Sequence, residues 1–176
     1  MSDHSLPPDW LASWLSRISA ALNAMTEGFE RQHGFHPGAN EVRPADRADQ
    51  PAVRMLAQVS FVHADLVTFY EHVADVTWAD IGNGYFVAPV GDVLVQLAEY
   101  GAVELGAEQG ARGLVIGSNG AGLSYVAGPA GAVYRTRTAS LDEPELDRVA
   151  DDLRQFLELL EQALMLFIAN GEPGHL

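Results

Sequence analysis

Apolar residues recur at spacings of three and four from Trp10 to Phe29: Trp10, Leu11, Trp14, Leu15, Ile18, Leu22, Met25 and Phe29. That period predicts a helix with one buried face. Pro8 suits its first turn, and Asp9 complements the positive end of its dipole. Trp10 and Trp14 share the apolar face; core packing is the first reading of that face and a groove for a partner helix the second. The period breaks over 30–51, where prolines, glycines and mixed charges leave no pattern. So long a patternless stretch is unusual inside a compact domain. It reads as a linker or mobile loop, which divides the chain into residues 1–50 and a domain at 51–176.

Beyond it, 51–58 reads as a short helix or an extended lead-in, and 64–74 as a helix with Leu66, Phe69, Tyr70 and Val73 on one side. Residues 80–89 read as a hairpin, or a turn plus a strand. Asn83-Gly84 is a strong turn dipeptide, and Tyr85, Phe86 and Val87 favour strand. Residues 90–100 read as a helix ended by Gly101, and 102–112 as a short strand and a loop. Three strands follow, at 113–117, 123–127 and 131–137, separated by glycine turns. Turns that short require antiparallel pairing, and no strand–helix–strand rhythm is visible.

The last helix is expected from about Asp142. Ser140 with Glu143, or Asp142 with Glu145, supplies a capping box. Its stripe is Leu146, Val149, Leu153, Phe156, Leu157, Leu160, Leu164 and Phe167, and Asn170-Gly171 is the stop. The expected fold class is α+β: an antiparallel sheet of about four to six strands, helices packed on one face, and a long C-terminal helix over the sheet.

Composition narrows the function classes. With 176 residues, 48% of them hydrophobic, the chain can bury a real core. No apolar run reaches the roughly 18–20 residues of a membrane span, and the first ten residues lack the basic flank and apolar segment of a secretory signal. The expectation is a cytoplasmic protein with no membrane partner. Cysteine and lysine are absent, so all ten cationic side chains are arginine. That removes thiolate nucleophiles, cysteine zinc sites, Schiff-base lysines and the lysine of a phosphate-binding loop. A formal net charge of −14 repels nucleic-acid backbones and attracts a basic protein partner, chiefly through association rate.

Candidate chemistry is sparse. The loop Gly117–Gly122, GSNGAG, invites a phosphate-binding reading, but a strand follows it where a cradle needs a helix N-terminus. Asn119, Gly120 and Gly122 instead read as structural turn residues, like Gly84. His33 and His36 are flanked by Gly34 and Pro37, unlike a helical ligand pair, and no carboxylate sits at a diagnostic metal offset. No metal or cofactor is expected. The carboxylates Asp142, Glu143, Glu145 and Asp147 read as a solvated helix start. What remains is a mixed aromatic and acidic patch around one turn: Trp78, Asp80, Asn83, Tyr85 and Asp92. Aromatic anchors with charged rims suit a protein interface; core packing is the simpler reading of Trp78 and Tyr85.

The glycine hairpin Gly117–Gly122, the strand that follows the next turn at Gly131–Tyr134, and the Phe156-Leu157 pair resemble the signature of the SMI1/KNR4 (SUKH) superfamily. Phe69–Pro89 also resembles that family's first helix-to-strand segment. The resemblance spans roughly residues 60–165 and has no counterpart for residues 1–50. It implies an α+β domain that recognises proteins instead of turning over substrate. The family includes bacterial immunity proteins, which bind and neutralise a cognate toxin, often a nuclease, and regulatory or scaffold proteins of fungi. The expectation is a non-enzymatic, immunity-like domain with a basic toxin as partner. Two alternatives stand beside it: a homo-oligomeric scaffold assembled through the N-terminal helix, and a small-molecule or nucleotide binder using the Gly117–Gly122 hairpin.

Overall fold

The computed structural model describes residues 5–106 and 110–176. Helix α1 spans Pro8–His33, one turn beyond the expected end. Leu11, Trp14, Ile18, Leu22, Met25 and Phe29 are all buried, as the spacing predicts. Gly34 ends the helix in the left-handed region, its amide returning to the Glu30 carbonyl.

The expected linker is not structureless. It contains strand β1, Asn40–Pro44, which pairs antiparallel with β2, Val73–Trp78. Only Val42 of β1 is buried, so no period-two pattern could announce it. Side-chain bonds fix it instead. The Asp80 carboxylate accepts from the Gly38 amide at 2.6 Å and from the Asn40 amide group at 2.7 Å, and Arg43 bridges Asp75 and Asp49. Residues on both sides of position 50 therefore share one sheet and one hydrophobic core.

Helices α2, Gln50–Leu56, and α3, Ala64–His72, follow. Helix α3 stops two residues earlier than expected, because Val73 and Ala74 already belong to β2. Strand β3, Tyr85–Val87, leads into α4, Val90–Tyr100, which ends at Gly101 as expected. Strand β4, Val103–Glu104, lies in the expected strand-and-loop stretch, of which 107–109 are outside the described residues. Strands β5, Arg112–Asn119, β6, Ser124–Ala127, and β7, Val133–Thr136, form the expected antiparallel ribbon.

The last helix starts later than its stripe suggests. Leu146–Ala150 is strand β8, antiparallel to β7, and α5 spans Leu153–Asn170. Leu146 and Val149 fit the helical spacing, but their backbone completes the sheet edge. The cap is Asp152, whose carboxylate accepts from the Gln155 amide at 2.7 Å, while the Gln155 side chain accepts from the Asp151 amide. Ser140, Asp142, Glu143 and Glu145 lie in the preceding loop, so neither expected capping box forms.

The fold is α+β, with an open antiparallel sheet in the order β1-β2-β3-β5-β6-β7-β8. Strand β4 pairs with the start of β5, on the edge whose other end pairs with β3. The described residues thus hold eight strands, more than the four to six expected: β1 and β8 carry no strand period of their own, whereas β2 alternates buried Ala74, Val76 and Trp78 with Asp75 and Thr77 directly after a helical stretch. Val76, Trp78, Tyr85, Val87, Ile116 and Tyr125 project from the sheet into one cluster, to which all five helices contribute. Trp14 ties the ends of the chain together by donating from its indole nitrogen to the Leu157 carbonyl at 3.0 Å. A smaller cluster of Val103, Leu105 and Val126 covers part of the opposite face.

Candidate functional site

The two glycine turns named from sequence dock on each other. Gly120 donates its amide to the Gly84 carbonyl at 2.9 Å, and Tyr85 pairs with Asn119 across β3 and β5. A Cβ on Gly120 would overlap the Asn83 carbonyl, so glycine is required there by close approach. The left-handed residue of the hairpin is Gly122, φ +85°, not Gly120. Asn119 organises the loop: its side-chain oxygen accepts from the amides of Ala121 and Leu123, both at 3.1 Å, and its carbonyl accepts from Gly122. That is a three-residue hairpin with a left-handed last residue. The 79–84 bend is likewise longer than a two-residue Asn83-Gly84 turn, with Gly82 and Gly84 both at positive φ.

The five residues of the expected binding patch separate. Trp78 and Tyr85 are buried and paired across β2 and β3, so they pack the core. Burial pushes the Tyr85 phenol above its usual range. Asp80 is half-buried and engaged in holding β1. Asn83 is exposed at the paired turns, and Asp92 is exposed in the first turn of α4, beyond the other end of β3.

Asn83, Tyr85 and Asn119 line a cleft of about 800 Å³ with Arg135 and the tail 171–176. The tail carbonyls are held from beneath: Tyr125 donates its hydroxyl to Leu176 at 3.1 Å, and Arg135 reaches His175 at 3.4 Å. The tail occupies one wall of this cleft and buttresses the two turns; Pro173 lies against Gly82.

A second cleft, of about 700 Å³, lies between the start of α3, the β6–β7 turn and the β8–α5 junction. Asp65 forms its floor. One carboxylate oxygen accepts from the Leu6 amide at 2.8 Å; the other has no hydrogen-bond partner among the described residues. Sequence reasoning passed over this residue because His63-Ala64-Asp65 reads as an ordinary helix start. His63 is indeed the cap of α3, its Nδ1 accepting from the Asp65 amide at 3.1 Å.

The histidines have structural settings. His33 stacks on Phe167 and lies tilted against Phe29, His36 faces Glu30, and His72 bonds the Thr68 carbonyl. His4 lies outside the described residues. Among the described residues, no group of three or more histidines and carboxylates is arranged to hold a metal ion. Among the described residues, no helix is long and apolar enough to cross a membrane.

Charge is distributed unevenly. Arg17, Arg43, Arg137, Arg148 and Arg154 are engaged by carboxylates. Hydrogen bonds from Arg43 and the Asp46 amide hold the Asp49 carboxyl below its usual range, and Arg137 does the same for Asp147. With 24 carboxylates against ten arginines, five of them already paired, exposed acids such as Asp9, Glu27, Glu99, Glu104 and Glu143 leave an acidic exterior.

The fold and these sites define a class, an α+β domain with an open antiparallel sheet and an acidic, cleft-bearing surface. A scan against protein-family models matches none, and a search of curated proteins finds no match. The likeness to SMI1/KNR4 proteins therefore rests on the residue pattern alone.

Proposed function

We propose that this chain is a protein-binding domain that acts stoichiometrically on a basic partner, in the manner of an immunity protein that neutralises a toxin. The single observation that carries the reading is the net charge of −14 on a folded surface where half of the ten arginines are already paired with carboxylates. Such a field accelerates encounter with a cationic protein and disfavours phosphate backbones. The resemblance of residues 60–165 to SMI1/KNR4 proteins supplies the immunity role. Binding in place of turnover is consistent with the settings of the polar side chains, which cap helices, close turns and pair charges. The compartment expected for such a protein is the cytoplasm.

The alternatives draw less support. The apolar face of α1 packs into the chain's own core, so assembly through that helix has only its small and polar face to use. The Gly117–Gly122 amides serve the hairpin and the Gly84 carbonyl, which leaves a nucleotide reading without a free donor cradle. The test is protection. Co-expression with each basic toxin domain cloned from the same genome is expected to identify one whose killing this chain relieves; unchanged killing by all of them at matched expression would refute the immunity role.

A further inference from the structure

The floor of the second cleft holds one of the three buried side-chain polar atoms that lack a hydrogen-bond partner among the described residues. Asp65 is 3% exposed, yet one of its carboxylate oxygens has no partner among the described residues. A buried carboxylate oxygen without a donor is costly. The described residues around it do not supply one. His63 Nδ1 is 3.8 Å from that oxygen and is already accepting from the Asp65 amide; the ring proton of the neutral form is then on Nε2, beside Gly131. Of the two arginines on the rim, Arg148 is tethered to Asp151 at 3.1 Å. Arg154 is tethered to Glu158 at 3.2 Å and lies over the Trp10 ring. Asp152 is occupied in capping α5. The cleft's two arginines are thus paired with its own Asp151 and Glu158, which leaves Asp65 and Asp152 without a cationic partner among the described residues.

We propose that this cleft receives a cationic side chain, the ammonium or guanidinium of a protein partner, with Asp65 as the buried counter-charge. The cleft, about 700 Å³ and open to solvent, has room for a lysine or arginine side chain. A charge-assisted hydrogen bond to a largely desolvated carboxylate is the kind of contact that anchors an interface. The proposal deepens the reading of a basic partner and takes its biological source from it. Its test uses no partner, so each can fail alone.

The probes are blocked tripeptides, Gly-Lys-Gly and Gly-Arg-Gly, with the norleucine analogue as the neutral control and 1,4-diaminobutane as a free amine. Binding is read from amide chemical shifts of the full chain. Saturable shifts at His63, Asp65, Gly131 and Gln155 are expected with the cationic peptides, and about ten-fold weaker binding or none with norleucine. Asp65→Asn keeps an acceptor for the Leu6 amide and removes the charge; it is expected to weaken the cationic peptides about ten-fold. If that variant does not fold, Ala130→Arg serves instead, since its guanidinium, placed on the rim, occupies the cleft in cis and should abolish the shifts. A water-sized void of about 10 Å³ adjoins Asp65. Absence of saturable shifts with every probe would mean that a water alone serves the carboxylate, and the proposal falls. Equal binding of norleucine would also overturn it. Tighter binding of the diamine than of either peptide would overturn the protein source.

Discussion

Replacing Trp14 by alanine tests whether the N-terminal helix is part of the core or an appendage. Trp14 is fully buried and donates its indole N–H to the Leu157 carbonyl, so it joins α1 to α5 across almost the whole chain. Removing a buried tryptophan side chain costs about 3–5 kcal/mol from lost burial and the cavity left behind. That is a large part of the roughly 5–15 kcal/mol that holds a domain folded. In a chain of this length each kcal/mol corresponds to about 2–4 °C in midpoint, so the melting temperature should fall by roughly 6–20 °C. Trp14→Phe keeps most of the volume and loses the hydrogen bond, and should cost less, about 1–2 kcal/mol. The assay is thermal and urea unfolding followed by far-ultraviolet circular dichroism. A single transition shifted by these amounts is expected. A Trp14→Ala loss below about 1 kcal/mol, or a separate early transition with the main one unmoved, would refute a shared core.

Gly120→Ala should destabilise by about 1–3 kcal/mol, because the new Cβ has to displace the Asn83 carbonyl. Gly91→Ala, in α4 with open space around it, should be neutral or stabilise by up to about 1 kcal/mol; equal effects of the two on the urea midpoint would contradict the docking of the turns. Asp152→Ala should cost about 1 kcal/mol as a lost cap, and Asp142→Ala should stay within about 0.5 kcal/mol; the reverse order would put the start of α5 back at Asp142. Asp49 has its carboxyl lowered by Arg43 and by the Asp46 amide. Its contribution is therefore present above the ordinary carboxylate value of about 3.9 and is lost as pH falls through the lower folded value. Asp49→Asn should be destabilised at pH 7, with the gap to wild type closing on acidification; a gap independent of pH would count against the pairing.

Legibility followed the number of side chains each element buries. Helix α1 was readable because six of its residues enter the core in helical register. The ribbon of β5, β6 and β7 was readable because glycine turns punctuate apolar runs. Strand β1 was not, since Val42 is its only buried residue and its place is set by Asp80, Asn40 and Arg43 acting over long sequence separations. The start of α5 misled because Leu146 and Val149 happen to continue the helical spacing while their backbone pairs with β7. The turn glycines were legible as turns, but the division of labour was not: Gly122 supplies the left-handed angle and Gly120 the close approach. Asp65 was illegible as a site residue, since its isolation depends on where Leu6, His63 and the rim arginines fall in space.

The most direct measurement of the central claim is a calorimetric titration, paired with stopped-flow association rates, of this chain against a basic toxin domain cloned from the same genome, repeated across ionic strength. The account predicts one-to-one binding, inhibition of the toxin at equimolar ratio, and an association rate that falls steeply as salt screens the −14 charge. Absence of heat and of inhibition at low salt, or binding whose association rate ignores salt, would contradict it.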